Sequence, residues 1–169
     1  MHSEGDDFET LSTTDTEDVR PKKAGPSLKA RAIAILSRRE HSRLELQRKL
    51  AAHASDADEL EKLLDDLERE NWLSNQRFAQ SLVNRRASRH GSSRIVQELR
   101  QHGLADEAIA DINEKLRSTE VERARVVWEK KFGQAPEDAK SYAKQFRFLA
   151  SRGFSAECLR RILGDLPDE

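Results

Sequence analysis

The chain has 169 residues, 30 Lys and Arg against 31 Asp and Glu, 36% hydrophobic residues and 5% aromatics. So few aromatics among so many charges leave no large aromatic core and suit slim helical units with exposed flanks better than a thick two-layer core. The single cysteine, Cys158, excludes an internal disulfide framework and fits a reducing compartment. No run of 18 apolar residues offers a spanning helix, and the acidic start is unlike a secretory signal. The expectation is a cytoplasmic monomer with no membrane partner.

Residues 1–26 read as a disordered acidic tail. Glu4 to Asp18 carries seven acids and no base, with too little apolar area to offset the entropy of ordering. Arg20, Lys22 and Lys23 follow, and Gly25 and Pro26 close the segment. From Pro26 to Pro136 there is no proline, and the apolar residues recur at helical spacing. The pattern predicts helices over 28–39, 43–53 and 56–71, then 75–89, 93–102 and 105–117, then 120–132, 137–151 and 156–165.

Boundaries follow from caps. Ser42-x-x-Glu45, Ser55-x-x-Asp58 and Thr119-x-x-Glu122 have the form of capping boxes. Ser92 or Ser93 and Ser155 are further N-cap candidates. Gly91, Gly103, Gly133 and Gly153 stand where helices should stop, and Pro136 fits the first turn of a new helix.

The pattern returns every 49 to 50 residues. Leu46, Leu50, Leu60, Leu63 and Leu67 reappear as Ile95, Leu99, Ile109, Ile112 and Leu116; Leu99, Gly103, Leu104, Ile109, Ile112 and Leu116 reappear as Leu149, Gly153, Phe154, Leu159, Ile162 and Leu166. Such self-similarity marks stacked supersecondary units. It divides the chain into the tail and three three-helix repeats, 27–73, 74–118 and 119–169. The expected fold is all-α: three tandem repeats in an elongated, curved array, a form that usually binds macromolecules along a surface. Each third helix carries a core stripe, ending with Leu159, Ile162, Leu163 and Leu166 in the last repeat. Trp72 and Trp128 fall beside these stripes and read as core.

Charge alternates with the same period. Net charge is +5 over 27–55, −6 over 56–74, +5 over 75–104, −4 over 105–122, +5 over 123–152 and −2 over 153–169. Stacked units would align a basic stripe beside an acidic one. The basic stripe suits a phosphate-bearing partner, and both together suit a protein filament coated on nucleic acid. The plainer alternative is solvated faces with ion pairs between neighbouring helices.

Catalytic chemistry is absent from the pattern. There is no Gly-rich phosphate loop. His41, His53, His90 and His102 lack the spacing of a helical zinc site, and Asp65 and Asp66 point about 100° apart on a helix. Cys158, beside Leu159, reads as a buried inert thiol. No cofactor, metal or enzymatic activity is expected.

The run Leu36 to Leu46, continuing to Lys49 and Leu50, resembles the opening signature of the bacterial RecX regulators. So do Leu73 through Phe78 and Ala79, Arg85-Arg86, Gly91, Ile95 through Leu99, Gly103-Leu104, and the late block Phe148 to Ser155. The resemblance spans roughly residues 28 to 166. Asn75 stands where the family pattern has an aspartate, and His41 where a tyrosine is frequent.

The resemblance implies three tandem three-helix repeats and a non-enzymatic modulator of RecA. Such a protein binds the RecA filament on single-stranded DNA and suppresses its ATPase, strand-exchange and coprotease activities, and it can also bind DNA. Carried onto matching positions, Arg38, Arg39, Arg43, Arg85, Arg86 and Arg152 are candidate filament and DNA contacts, and Arg94 joins them as a member of the same basic cluster as Arg85 and Arg86. Two other readings are a helix-turn-helix-like DNA-binding repressor over Ser92 to Leu116 and a helical protein–protein scaffold. The first suffers from the acidic helix after Ala105, a poor reader of the major groove.

Overall fold

The computed structural model describes residues 25–167; the expected acidic tail lies outside them apart from Gly25 and Pro26. Among the described residues there are nine α-helices and no strand. They are α1 (Leu28–Leu36), α2 (Arg43–Leu50), α3 (Ala57–Arg69), α4 (Asn75–Arg86), α5 (Ser92–Gln101), α6 (Asp106–Ser118), α7 (Glu120–Lys131), α8 (Ala139–Ser151) and α9 (Ala156–Leu163). A single 3-10 turn, Ala51–His53, extends α2.

Helix starts are set by short polar side chains. Ser27, Ser42, Asp56, Ser74, Asp138 and Ser155 each accept a backbone N–H from the first turn. Four of the expected caps differ. Helix α5 is entered from Gly91, with neither Ser92 nor Ser93 as its N-cap. Ser42 accepts from the Glu45 N–H at 3.1 Å, but the Glu45 carboxylate pairs with Arg39 instead of reaching back. At α3 the cap is one residue later: Asp56 accepts from the Glu59 N–H at 2.8 Å, and Glu59 returns to accept the Ser55 N–H at 2.7 Å. Thr119 makes no side-chain cap; its hydroxyl donates to the Leu116 carbonyl and accepts from Arg123. Pro136 precedes α8, which opens at Ala139 behind Asp138, rather than sitting in its first turn.

The ends of α3, α5 and α8 share one device. Gly103 (φ 76°) and Gly153 (φ 89°) take the left-handed conformation, and the next N–H, of Leu104 or Phe154, returns to the Leu99 or Leu149 carbonyl. After α3 the same job falls to Asn71 (φ 63°), with the Trp72 N–H on the Leu67 carbonyl at 2.9 Å. Gly91 is different from the expectation: its φ is −77° and it opens α5 rather than closing α4.

Three separate apolar clusters form, one per set of three helices. The first holds Leu46, Leu50, Leu60, Leu64 and Leu67; the second Phe78, Leu82, Ile95, Leu99, Ile109 and Leu116; the third Ala124, Leu149, Phe154, Cys158 and Leu159. Equivalent positions match. Leu50, Leu99 and Leu149 are fully buried, as are Leu60, Ile109 and Leu159 nearly so. The match fails at Leu166, which is 60% exposed because α9 stops at Leu163 and Gly164 turns the chain away with φ 77°. Trp72 also leaves the core, at 44% exposure; it lies past the Asn71 turn, where the chain has left the stripe of α3. Trp128 does pack on the third cluster, with its Nε1–H donating to Gln145 at 2.7 Å.

Ile95→Val should therefore cost about 0.5–1.5 kcal/mol, whereas Leu166→Ala should stay within about 0.5 kcal/mol of the parent. Urea unfolding of the two variants checks this, and equal losses would contradict the burial pattern.

Candidate functional site

No hydrogen bond or ion pair among the described residues joins the first unit (α1–α3) to the third (α7–α9). The units follow one another through two polar seams, and these seams place most of the charged residues in question.

At the first seam, the Arg43 N–H donates to Asn75 Oδ1 at 2.8 Å, so the first residue of α4 satisfies an orphan donor of α2. An aspartate could serve equally there, because only an acceptor oxygen is needed. Arg77 crosses back to Glu40 at 2.9 Å and to the Asn71 carbonyl at 2.8 Å. His41 is buried beneath, with Nδ1 2.9 Å from the Arg39 carbonyl; burial holds its pKa below the ordinary histidine value despite that bond and Glu45.

At the second seam a buried carboxylate is the centre. Glu120, 4% exposed, accepts from the Ser92 N–H at 3.0 Å, the Ser92 hydroxyl at 2.8 Å and the Ser155 hydroxyl at 3.0 Å. It thereby ties α7 to the starts of α5 and α9. Arg123, one turn on, donates to the carbonyls of Ala87 (2.9 Å), His90 (2.6 Å) and Leu116 (3.0 Å), closing the ends of α4 and α6. Burial lowers the pKa of this guanidinium. The backbones of the two units meet where the Gly91 N–H donates to the Arg152 carbonyl at 2.8 Å and the Ser93 hydroxyl to the Gly153 carbonyl at 2.7 Å. Cys158 lies behind, its thiol pushed up to about 11 by burial and by Glu120, which leaves it protonated and unreactive near neutrality.

The seven candidate arginines fall into distinct environments. Arg43 is spent within the fold: its guanidinium meets Glu61 at 2.8 Å, Asp65 at 2.8 Å and Glu68 at 3.2 Å, all on α3. Burial works against its charge, yet the three carboxylates outweigh it and raise its pKa. Arg39 pairs with Glu45, whose own pKa falls because Arg39 overcomes the cost of burial. Arg86 makes a two-pronged contact with Glu98, 3.1 Å on each prong. The charge of Arg38, Arg85, Arg94 and Arg152 is met by no carboxylate among the described residues. Arg38 is exposed; Arg85 touches only the Ser81 carbonyl; Arg94 donates to the Ser151 carbonyl at 3.2 Å; Arg152 lies over the Phe148 ring, 4.8 Å from its centre.

Arg86 and Arg94 share a polar groove of about 660 Å³ along the second seam, with His90, Gln97, Glu98 and Ser151. The Nδ1 of His90 is buried there without a partner. Burial and the fields of Arg94, Arg86 and Arg152 all lower its pKa, so the ring is neutral at pH 7 and adds no charge to the groove. Arg38, Arg39 and Arg43 lie apart from these, in and just after the α1–α2 link. No group of three or more His, Cys, Asp or Glu among the described residues could hold a metal ion, and no described helix is long and apolar enough to cross a membrane.

What the sequence missed here is the structural load on Glu120 and Arg123. In the sequence Glu120 is simply one of two acids in the first turn of α7, with Glu122, and Arg123 one of several basic residues on that helix. Only the folded path, which brings residues 92, 120 and 155 together, gives either its partners.

The fold and its seams define a class: proteins built of tandem three-helix modules that are locked in series by polar contacts. Comparison with known sequences gives the family. Models of RecX match here, its second three-helix domain over residues 74–111 and its third over 118–163. The chain is 56% identical over 137 residues to the Regulatory protein RecX of Ralstonia nicotianae, covering 81% of this chain and 86% of that one. It is 41% identical over 151 residues to that of Neisseria meningitidis serogroup C, covering 89% and 96%. The crystal structure of RecX from Lactobacillus salivarius shares the fold, with a TM-score of 0.69 at 20% identity over 80% of this chain and 91% of that one. The chain belongs to the RecX family of regulatory proteins.

Proposed function

We propose that this protein is a non-enzymatic regulator of RecA, acting in the cytoplasm as a monomer on the RecA filament that forms on single-stranded DNA. Bound there, it lowers RecA's ATPase, strand-exchange and coprotease activities and so tempers recombinational repair and the SOS response. Membership of the RecX regulatory family over four fifths of the chain is the observation that carries this reading. The serial layout supports it, since a row of similar units suits a partner that is itself a repeating polymer.

Of the candidate contacts, Arg38, Arg85, Arg94 and Arg152 keep guanidinium forks unclaimed by carboxylates and are the ones offered to filament or DNA. Arg39, Arg43 and Arg86 serve the fold first. The test is RecA's single-strand-dependent ATP turnover with and without this protein. Turnover should fall as the protein saturates the filament, and unchanged turnover at saturating binding would refute the reading. Arg85→Glu should weaken filament binding while leaving helicity intact, read by co-sedimentation and circular dichroism.

A further inference from the structure

A second cavity, of about 540 Å³, opens on the seam between the second and third units, lined by Arg89, Lys130, Lys131, Arg152, Phe148 and Val127. No carboxylate lines it. Its four cations come from different places: Arg89 from the α4–α5 link, Lys130 and Lys131 from the last turn of α7, and Arg152 from the end of α8. None of the four has a carboxylate partner among the described residues, unlike Arg39, Arg43 and Arg86. Two lysines at the end of α7 would by themselves be accounted for by the helix dipole. The convergence of Arg89 and Arg152 on the same hollow is not.

The remaining walls are Phe148 and Val127, with the small polar side chain of Ser88 beside them. Phe148 is half-buried, set edge-on to Phe132 with ring centres 5.4 Å apart. Lys131 Nζ lies 5.6 Å and the Arg152 guanidinium 4.8 Å from its centre. Cations that line one hollow repel one another, at a cost that a bound anion would relieve. A bare anion would leave the Phe148 and Val127 surface unused. A duplex would bring phosphates but keep its bases stacked inside. A single strand presents both a phosphate and a free base, and cationic grooves with aromatic platforms are what such strands bind.

We propose that this cavity is a nucleotide-sized grip for single-stranded nucleic acid, the phosphate held by Arg89, Lys130 and Lys131 and the base laid against Phe148 and Arg152. It deepens the function proposed above, resting on that reading only for the expectation that a nucleic-acid strand is met. The contacts it names differ from the sequence-derived candidates except at Arg152.

The test is fluorescence anisotropy of the full chain with labelled oligo-dT and with a duplex of equal length, across a salt series and without RecA. Lys130→Ala/Lys131→Ala should weaken oligo-dT binding about tenfold and make the log–log salt slope shallower by about 1.4, the share of two phosphate contacts on a single strand. Lys140→Ala/Lys144→Ala, which removes two exposed lysines of α8 outside the cavity, should change little. Phe148→Leu, which keeps the apolar volume, should cost about fivefold on the single strand and nothing on the duplex. Equal losses in the two lysine pairs would overturn the proposal, as would a silent Phe148→Leu or stronger competition by an acidic peptide than by unlabelled oligo-dT. Because RecA is absent, failure here leaves the filament reading standing, and failure of the ATPase test leaves this one.

Discussion

Glu120→Ala should destabilise the protein by about 3–5 kcal/mol, the cost of removing a buried, fully hydrogen-bonded charge. The carboxylate accepts three hydrogen bonds, from the Ser92 N–H and hydroxyl and from the Ser155 hydroxyl. Without it, the two buried Ser92 donors have no acceptor, each at a cost on the order of 1–3 kcal/mol, and the half-buried Ser155 hydroxyl loses a partner too. The charge is also well placed at the starts of α5 and α9, where helix dipoles favour an anion. Glu120→Gln should lose less, because the amide oxygen can still accept from Ser92. Urea unfolding measures both. Hydrogen exchange should show the starts of α5 and α9 losing protection while α1 to α3 do not. A cost for Glu120→Ala no greater than that for Leu166→Ala would show that the carboxylate does not hold the seam.

The repeat was legible in the sequence because core positions obey a local rule. Leu50, Leu99 and Leu149 carry the period and the burial alike, and each helix lies within a few residues of its expected span. Caps were less legible, since several Ser, Thr and Asp side chains compete at each helix start and backbone geometry selects among them. Asp56 displaced Ser55 in this way, and Thr119 was claimed by Arg123 instead. The last stripe was misread at Leu166 because the period says nothing of where a helix stops; the turn at Gly164 does.

The charge pattern was legible as a sum but not as a set of pairs. Arg38 and Arg39 are neighbours of identical chemistry, yet only Arg39 finds a carboxylate, six residues on. The partners of Arg43 lie 18 to 25 residues away on α3, and that of Arg86 lies 12 away on α5, separations no single-helix rule can supply. Part of the alternation of basic and acidic helices is therefore internal pairing, as between Arg43 and α3. The unpaired remainder is spread over the array: Arg38 in the α1–α2 link, Arg94 in the larger groove of the second seam, and Arg89, Lys130, Lys131 and Arg152 around Phe148.

Gly91→Ala tests whether the array works as one fixed body. With φ at −77°, alanine has no conformational objection at this site. The objection is steric: an added Cβ would stand 2.2 Å from the Gly153 oxygen, 2.3 Å from its carbon and 2.4 Å from the Phe154 nitrogen. All three are backbone atoms of the third unit and cannot rotate away. The seam must open, losing the Gly91 bond to Arg152 and the Ser93 bond to Gly153, at about 2–4 kcal/mol. Gly133→Ala offers the contrast. Unlike Gly91 it carries a positive φ, 67°, but the nearest neighbour of an added Cβ is the Glu129 oxygen at 3.3 Å within the same unit, so the change should cost about 1–2 kcal/mol and leave the seam shut. Each unit retains its own core in the Gly91 variant, so helicity by circular dichroism should persist while small-angle scattering shows altered spacing of the units. If the protein acts on RecA as a rigid row, inhibition of ATP turnover should fall with Gly91→Ala and survive Gly133→Ala. Full inhibition by a Gly91 variant with demonstrably displaced units would mean that the units act independently, joined to the filament one at a time.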